Sequence, residues 1–104
     1  MTDETLIAEA GRRLAEAAPD ARVILFGSRA RGQFRSDSDL DLIVVEPAIE
    51  SRKAEFVRLR NALGEVGVPV DLIVYRASEV EKWGNVPGTF LHGVLREGRV
   101  LAGG

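Results

Sequence analysis

The sequence contains no cysteine and a single histidine, methionine and tryptophan, and aromatic residues make up only 6% of it. Without cysteine there are no disulfides and no thiolate chemistry, and His92 alone cannot build an imidazole-rich zinc site. Any bound metal must therefore be held by oxygen. No apolar run is long enough to cross a bilayer, and the opening stretch MTDETLIAEAGRRLAEAA carries acids where a secretory signal carries basic residues. The expected location is cytoplasmic. Charge of one sign is also lacking: 14 Lys and Arg against 16 Asp and Glu leave a formal net charge of -2, which gives no support to a strongly basic nucleic-acid surface. What is present is ordinary for a globular protein, 45% hydrophobic and 29% charged residues over 104 positions. That length predicts one domain spanning 1–104 with a modest core.

Hydrophobic period alternates between helix and strand along the chain. Leu6, Ala10, Leu14 and Ala17 recur at helical spacing, with Thr2 or Asp3 as N-cap and Pro19 as stop. RVILF, ended by Gly27, and DLDLIVVE, closed by Pro47, read as buried strands. A helix from about Ile49 to Glu65 would put Phe56, Leu59, Leu63 and Val66 on one side and end at Gly64 and Gly67. VPVDLIVYR reads as a third strand, and Ser78 followed three positions later by Glu81 reads as a capping box. A last helix runs through Phe90, Leu91, Val94 and Leu95 before a short apolar tail, RVLA. No repeat or linker interrupts this order. The predicted fold class is α/β (α+β), a small mixed sheet of three or four strands flanked by helices.

Acids interrupt two of these strands, where an isolated carboxylate is costly. Residues i and i+2 of a strand share a face about 7 Å apart, so Asp39 and Asp41 form a pair while Leu40, Leu42 and Val44 face the core. Asp71 repeats the device on the third strand, sharing its side with Ile73 and Tyr75. If the two strands are neighbours in register, three carboxylates converge at one end of the sheet. Oxygen-only donors suit Mg²⁺ or Mn²⁺, and two such ions about 4 Å apart serve in-line phosphoryl or nucleotidyl transfer. Gly27 ends the first strand and Ser28 opens a short helix through RARG, so backbone N–H groups and a hydroxyl would face the same end, an anion-binding arrangement. A Walker A loop is excluded, because Gln33 and Phe34 stand where Lys and Ser or Thr are required. Simpler roles exist for single residues: Gly27 as a turn glycine, Ser28 as an N-cap, Asp37 beside Ser36 as a turn-former, His92 as a filler, Trp83 and Phe90 as core or partner-facing, and Arg12 and Arg13 on a solvated face.

Gly27-Ser28, ten residues, then Asp39-Leu40-Asp41 match the G-S-x(10)-D-x-D signature, and on these residues the chain resembles the nucleotidyltransferase superfamily that includes DNA polymerase beta. More narrowly, GSRARG followed by SDLDL is similar to the minimal nucleotidyltransferases (MNT) paired with HEPN-domain proteins in toxin-antitoxin modules. The resemblance implies that Gly27 and Ser28 hold the β and γ phosphates of ATP, that Asp39 and Asp41 bind two Mg²⁺ ions, and that Asp71 ligates the ion at the attacking hydroxyl and helps remove its proton. Arg29 and Arg31 fall in a basic stretch implied to contact phosphate or the partner. The implied reaction is transfer of AMP to a tyrosine of a HEPN toxin with release of pyrophosphate. The alternatives are an antitoxin that neutralises the toxin by binding alone, and a transferase acting on a small molecule such as an aminoglycoside.

Overall fold

The structure, a computed structural model, describes residues 3–33, 35 and 38–103. The Thr2 cap and the Ser36-Asp37 turn lie outside them. The chain runs α1 (Asp3–Ala17), β1 (Arg22–Phe26), α2 (Ser28–Arg31), β2 (Leu40–Glu46), α3 (Arg52–Leu63), β3 (Val70–Arg76), α4 (Ala77–Trp83), α5 (Phe90–Glu97) and β4 (Arg99–Ala102). The strands form one mixed sheet in the order β3-β2-β1-β4, in which β1 is antiparallel to β2 and β4, and β2 is parallel to β3. The apolar tail RVLA thus becomes the fourth strand. The β2-α3-β3 unit is a parallel crossover, which needs an intervening helix because a tight turn can only reverse a strand.

Both faces of the sheet are covered, so β1 and β2 read as nearly continuous apolar runs. On one face Leu6, Ala10 and Leu14 of α1 and Leu59 and Leu63 of α3 pack on Val23, Leu25, Leu40, Leu42, Val44, Leu72 and Val74. On the other, Val80 of α4 and Leu91 and Val94 of α5 pack on Ile24, Ile43 and Val45. Arg13 fastens the first layer: its Nη1 donates to the carbonyls of Leu63 (2.7 Å) and Glu65 (3.1 Å), at and just beyond the last turn of α3. That satisfies carbonyls which a helix end leaves without intrahelical donors.

Three local expectations shift. α3 begins at Arg52, because Ser51 caps it by accepting from the Ala54 N–H (3.2 Å). Phe56 faces outward, 38% exposed, and Val66 is buried although it lies beyond the helix. The capping contact of α4 comes two residues earlier than Ser78 and Glu81: Glu79 Oε1 accepts from the Arg76 N–H (2.8 Å). The strand runs straight into this helix, so the cap forms at the junction.

One acid lies among apolar neighbours on the α1/α3 face. Glu46, at the far end of β2, is 11% exposed in its side chain, with Oε1 3.9 Å from Arg58 Nη2, while the buried Oε2 meets no donor. Burial, then hydrogen bonding and charge from Glu55, push the Glu46 carboxyl up to about 7, whereas the Arg58 guanidinium, hydrogen-bonded to Glu55 at 2.7 Å, holds Glu55 down to about 2. An acid raised on folding binds more protons folded than unfolded, so its contribution is present below the unfolded value and is lost as pH rises to about 7. Thermal unfolding of Glu46→Gln and wild type from pH 5 to 8 checks this. The variant should gain on the wild type as pH rises, and a pH-independent difference would disprove the raised Glu46 carboxyl.

Candidate active site

The site is assembled at the end of the sheet where β2 and β3 begin and β1 ends. Register places Phe26 opposite Asp41, and Asp41 opposite Asp71, across three adjacent strands. Leu40 N–H donates to the Pro69 carbonyl (2.9 Å), which fixes the start of β2 against the segment entering β3. Asp39 precedes β2 by one residue and Asp41 follows two positions later, so Asp41 and its register partner Asp71 lie on the α4/α5 side, as their strand parity predicts. Asp39 and Asp71 are exposed, and Asp41 is half-buried. Because β3 is an edge strand, Asp71 faces open solvent.

Gly27 closes over Asp41. Its φ of 76° lies in the left-handed region, and a Cβ built there would stand 2.2 Å from Asp41 Oδ2. Only glycine lets the backbone turn this way while lying against the carboxylate. Ser28 then opens the four-residue α2, whose Arg31 N–H donates to the Gly27 carbonyl (3.2 Å).

The two arginines of this turn separate. Arg29, expected to face phosphate, turns inward: its side chain is 0% exposed, Nε and Nη2 donate to the Ser38 carbonyl (3.2 and 2.8 Å), and Nη1 donates to Asp3 Oδ1 (3.0 Å). It holds the segment that leads into Asp39 and ties it to the start of α1. Arg31 stays exposed, with Nη1 3.8 Å from Glu97 Oε2. This division was not visible in the sequence, since the partners of Arg29 lie at positions 3 and 38.

Burial raises the Asp41 carboxyl above its ordinary range, and the charges of Asp71 and Asp39 add to the rise, while Arg31 and Arg29 oppose it. The site is therefore a concentration of negative charge that Arg31 and Arg29 offset only in part. As the side chains stand, no three acidic or histidine groups among the described residues are gathered around one point where an ion would sit. The donor chemistry nevertheless fits a hard divalent cation, with three carboxylates, two of them in the open, and no nitrogen or sulfur. His92 takes no part: its Nδ1 lies 2.9 Å from the Gly84 carbonyl and links α5 to the end of α4.

A family model for the nucleotidyltransferase domain matches residues 7–95, a span that includes the Gly27 turn and all three acids. The chain belongs to the nucleotidyltransferase domain family. Two solved structures have a similar fold. One is a Sulfolobus solfataricus protein classed as a nucleotidyltransferase, with TM-score 0.64 and 23% identity, covering 92% of this chain and 76% of that one. The other is a toxin-antitoxin structure with AMP-PNP, with TM-score 0.64 and 20% identity, covering 99% of this chain and 75% of that one. No functionally curated protein matches.

Two outcomes follow for the nucleotidyltransferase site. Arg29→Met leaves the part-buried Ser38 carbonyl without the two Arg29 donors, a loss of about 1 to 2 kcal/mol on the scale of a lost hydrogen bond to a charged group, measurable by urea unfolding. Arg29→Lys should restore part of it. For Asp41, a carboxyl raised on folding contributes stability that is lost as pH climbs through its folded value, so at pH 7 without divalent cations Asp41→Asn should melt higher than wild type. Added Mg²⁺ should raise the wild-type Tm and leave the variant unchanged. A wild type indifferent to Mg²⁺ would rule out the acids as a cation site.

Proposed function

We propose that this chain is a Mg²⁺-dependent transferase that uses ATP, passes AMP to a tyrosine hydroxyl of a HEPN-domain toxin, and thereby serves as that toxin's antitoxin in the cytoplasm. The observation that supports this reading is Asp41 standing opposite Asp71 on the neighbouring strand and against the Gly27 turn, with Asp39 two residues before Asp41. The fold shared with a toxin-antitoxin structure holding AMP-PNP supports the choice of nucleotide and partner. Asp39 and Asp41 would hold both ions and Asp71 one of them, and the bound cations would supply charge neutralisation for the phosphates. Gly27 and Ser28 cradle the β and γ phosphates, with Arg31 the exposed cation nearby.

In the reaction the acceptor oxygen forms a bond to the α phosphorus. The bond from that phosphorus to the bridging oxygen breaks, its electron pair leaves on pyrophosphate, and Asp71 takes the hydroxyl proton. The exposed position of Asp71 on the edge strand suits a hydroxyl delivered by another protein. The domain's own part is to align the two reactants, which removes the entropic cost of their encounter.

The test uses ATP labelled at the α-phosphate, Mg²⁺ and the candidate HEPN partner. Label should reach the partner with wild type and fall to background with the Asp39→Asn, Asp41→Asn double variant. Binding and neutralisation of the partner without label transfer would show that inhibition works by occupancy alone.

A further inference from the structure

A cavity of about 370 Å³ opens between the Gly27 turn and α5. It is lined by Phe26, Gly27, Arg31, Phe90, Gly93 and Glu97, among others. Phe26 and Phe90 meet edge to face, ring centroids 5.4 Å apart, and Phe90 remains 49% exposed although it belongs to this wall. Held by this contact and still half-exposed, the Phe90 ring presents apolar surface to the cavity. Gly93 widens the space, since a Cβ there would meet no atom within 4 Å. α5 is set by its cap: Thr89 Oγ1 accepts from the His92 N–H (3.2 Å) and donates to the Val86 carbonyl (2.8 Å). The wall is thus part of the folded structure.

We infer that this cavity receives the nucleobase of the nucleotide, stacked on Phe90. The inference rests on the proposed nucleotide reading and adds the base's position to it. The cavity shares Gly27 and Arg31 with the turn assigned to the phosphates, so a nucleotide can occupy both without leaving the surface. Its volume falls within the range of small-molecule sites. A tyrosine ring of the acceptor is the competing occupant, and position decides against it. Phe26 lies on β1, two strands and about 10 Å from Asp71. Asp71 is the acid given to the attacking hydroxyl, so the acceptor approaches from the β3 edge and the leaving nucleotide lies toward β1.

Calorimetric binding of ATP and of inorganic tripolyphosphate, each with Mg²⁺, separates base from phosphate recognition. Phe90→Ala should weaken ATP about tenfold or more, the scale of one aromatic-base stack, and leave tripolyphosphate unchanged. Gly93→Leu, which fills the cavity from the same helix one turn beyond Phe90, should do the same. ATP affinity unchanged in both variants overturns the inference, as does an equal weakening of both ligands. Reduced AMP transfer with unchanged ATP affinity would mean the cavity seats the acceptor and also overturns it. Wild type binding neither ligand would defeat the nucleotide reading itself.

Discussion

Asp41 is the point on which the rest of the arrangement depends. A carboxylate half-buried beside a second carboxylate on the neighbouring strand is unfavourable by burial and by repulsion, and the carboxyl is raised accordingly. Several features of the fold make sense only around it. Gly27 is glycine because its backbone turns at positive φ directly onto the Asp41 oxygen. β3 pairs with β2 in parallel without a register shift, since a slip of one residue would send Asp71 to the opposite face and into the α1/α3 core. Arg29 is buried under the segment before Asp39, where a shorter or neutral side chain could not reach both Ser38 and Asp3.

The two faces of the sheet divide the work. The α1/α3 face carries the larger core and is fastened by long-range bonds such as Arg13 to Leu63. The α4/α5 face carries the smaller core and leaves the sheet end open, so that acids, turn and cavity meet there. β2 serves both, buried on each side along almost its whole length. It also bears an acid at each end, and their surroundings differ. Asp41 has two open carboxylates beside it and faces solvent in part, whereas Glu46 has one carboxylate partner and an arginine and is closed in.

How much of this was legible in the sequence follows from how local each feature is. The alternation of Asp39, Leu40 and Asp41, the apolar runs of β1 and β2, and the Gly27-Ser28 break are properties of neighbouring residues, and period alone recovers them. Asp71 was legible only on the condition that β2 and β3 are adjacent and in register, which the crossover through α3 supplies. The inward turn of Arg29 was not, because a basic residue after Gly-Ser looks the same whether its partners are phosphates or residues 3 and 38. Phe90 was ambiguous for a related reason: helical spacing places it on α5 without saying whether that helix end meets core, solvent or the Gly27 turn five elements earlier in the chain.

The edge strand shows how the site can be open without being sticky. β3 exposes one row of backbone groups, a template for unwanted pairing. Part of that row is taken: Arg52 donates through Nη1 to the Val74 carbonyl (2.9 Å), is ion-paired through Nη2 with Glu79 (2.7 Å), and stacks its guanidinium over Tyr75. The covered stretch lies toward the far end of the strand, three residues beyond Asp71. The Arg52 charge guards that stretch of the edge, and the carboxylate itself guards the beginning, since an incoming strand would have to pass beside Asp71. A ligand that does not add as a strand meets no such obstacle, so the same edge that rejects strand addition leaves Asp71 reachable from solvent.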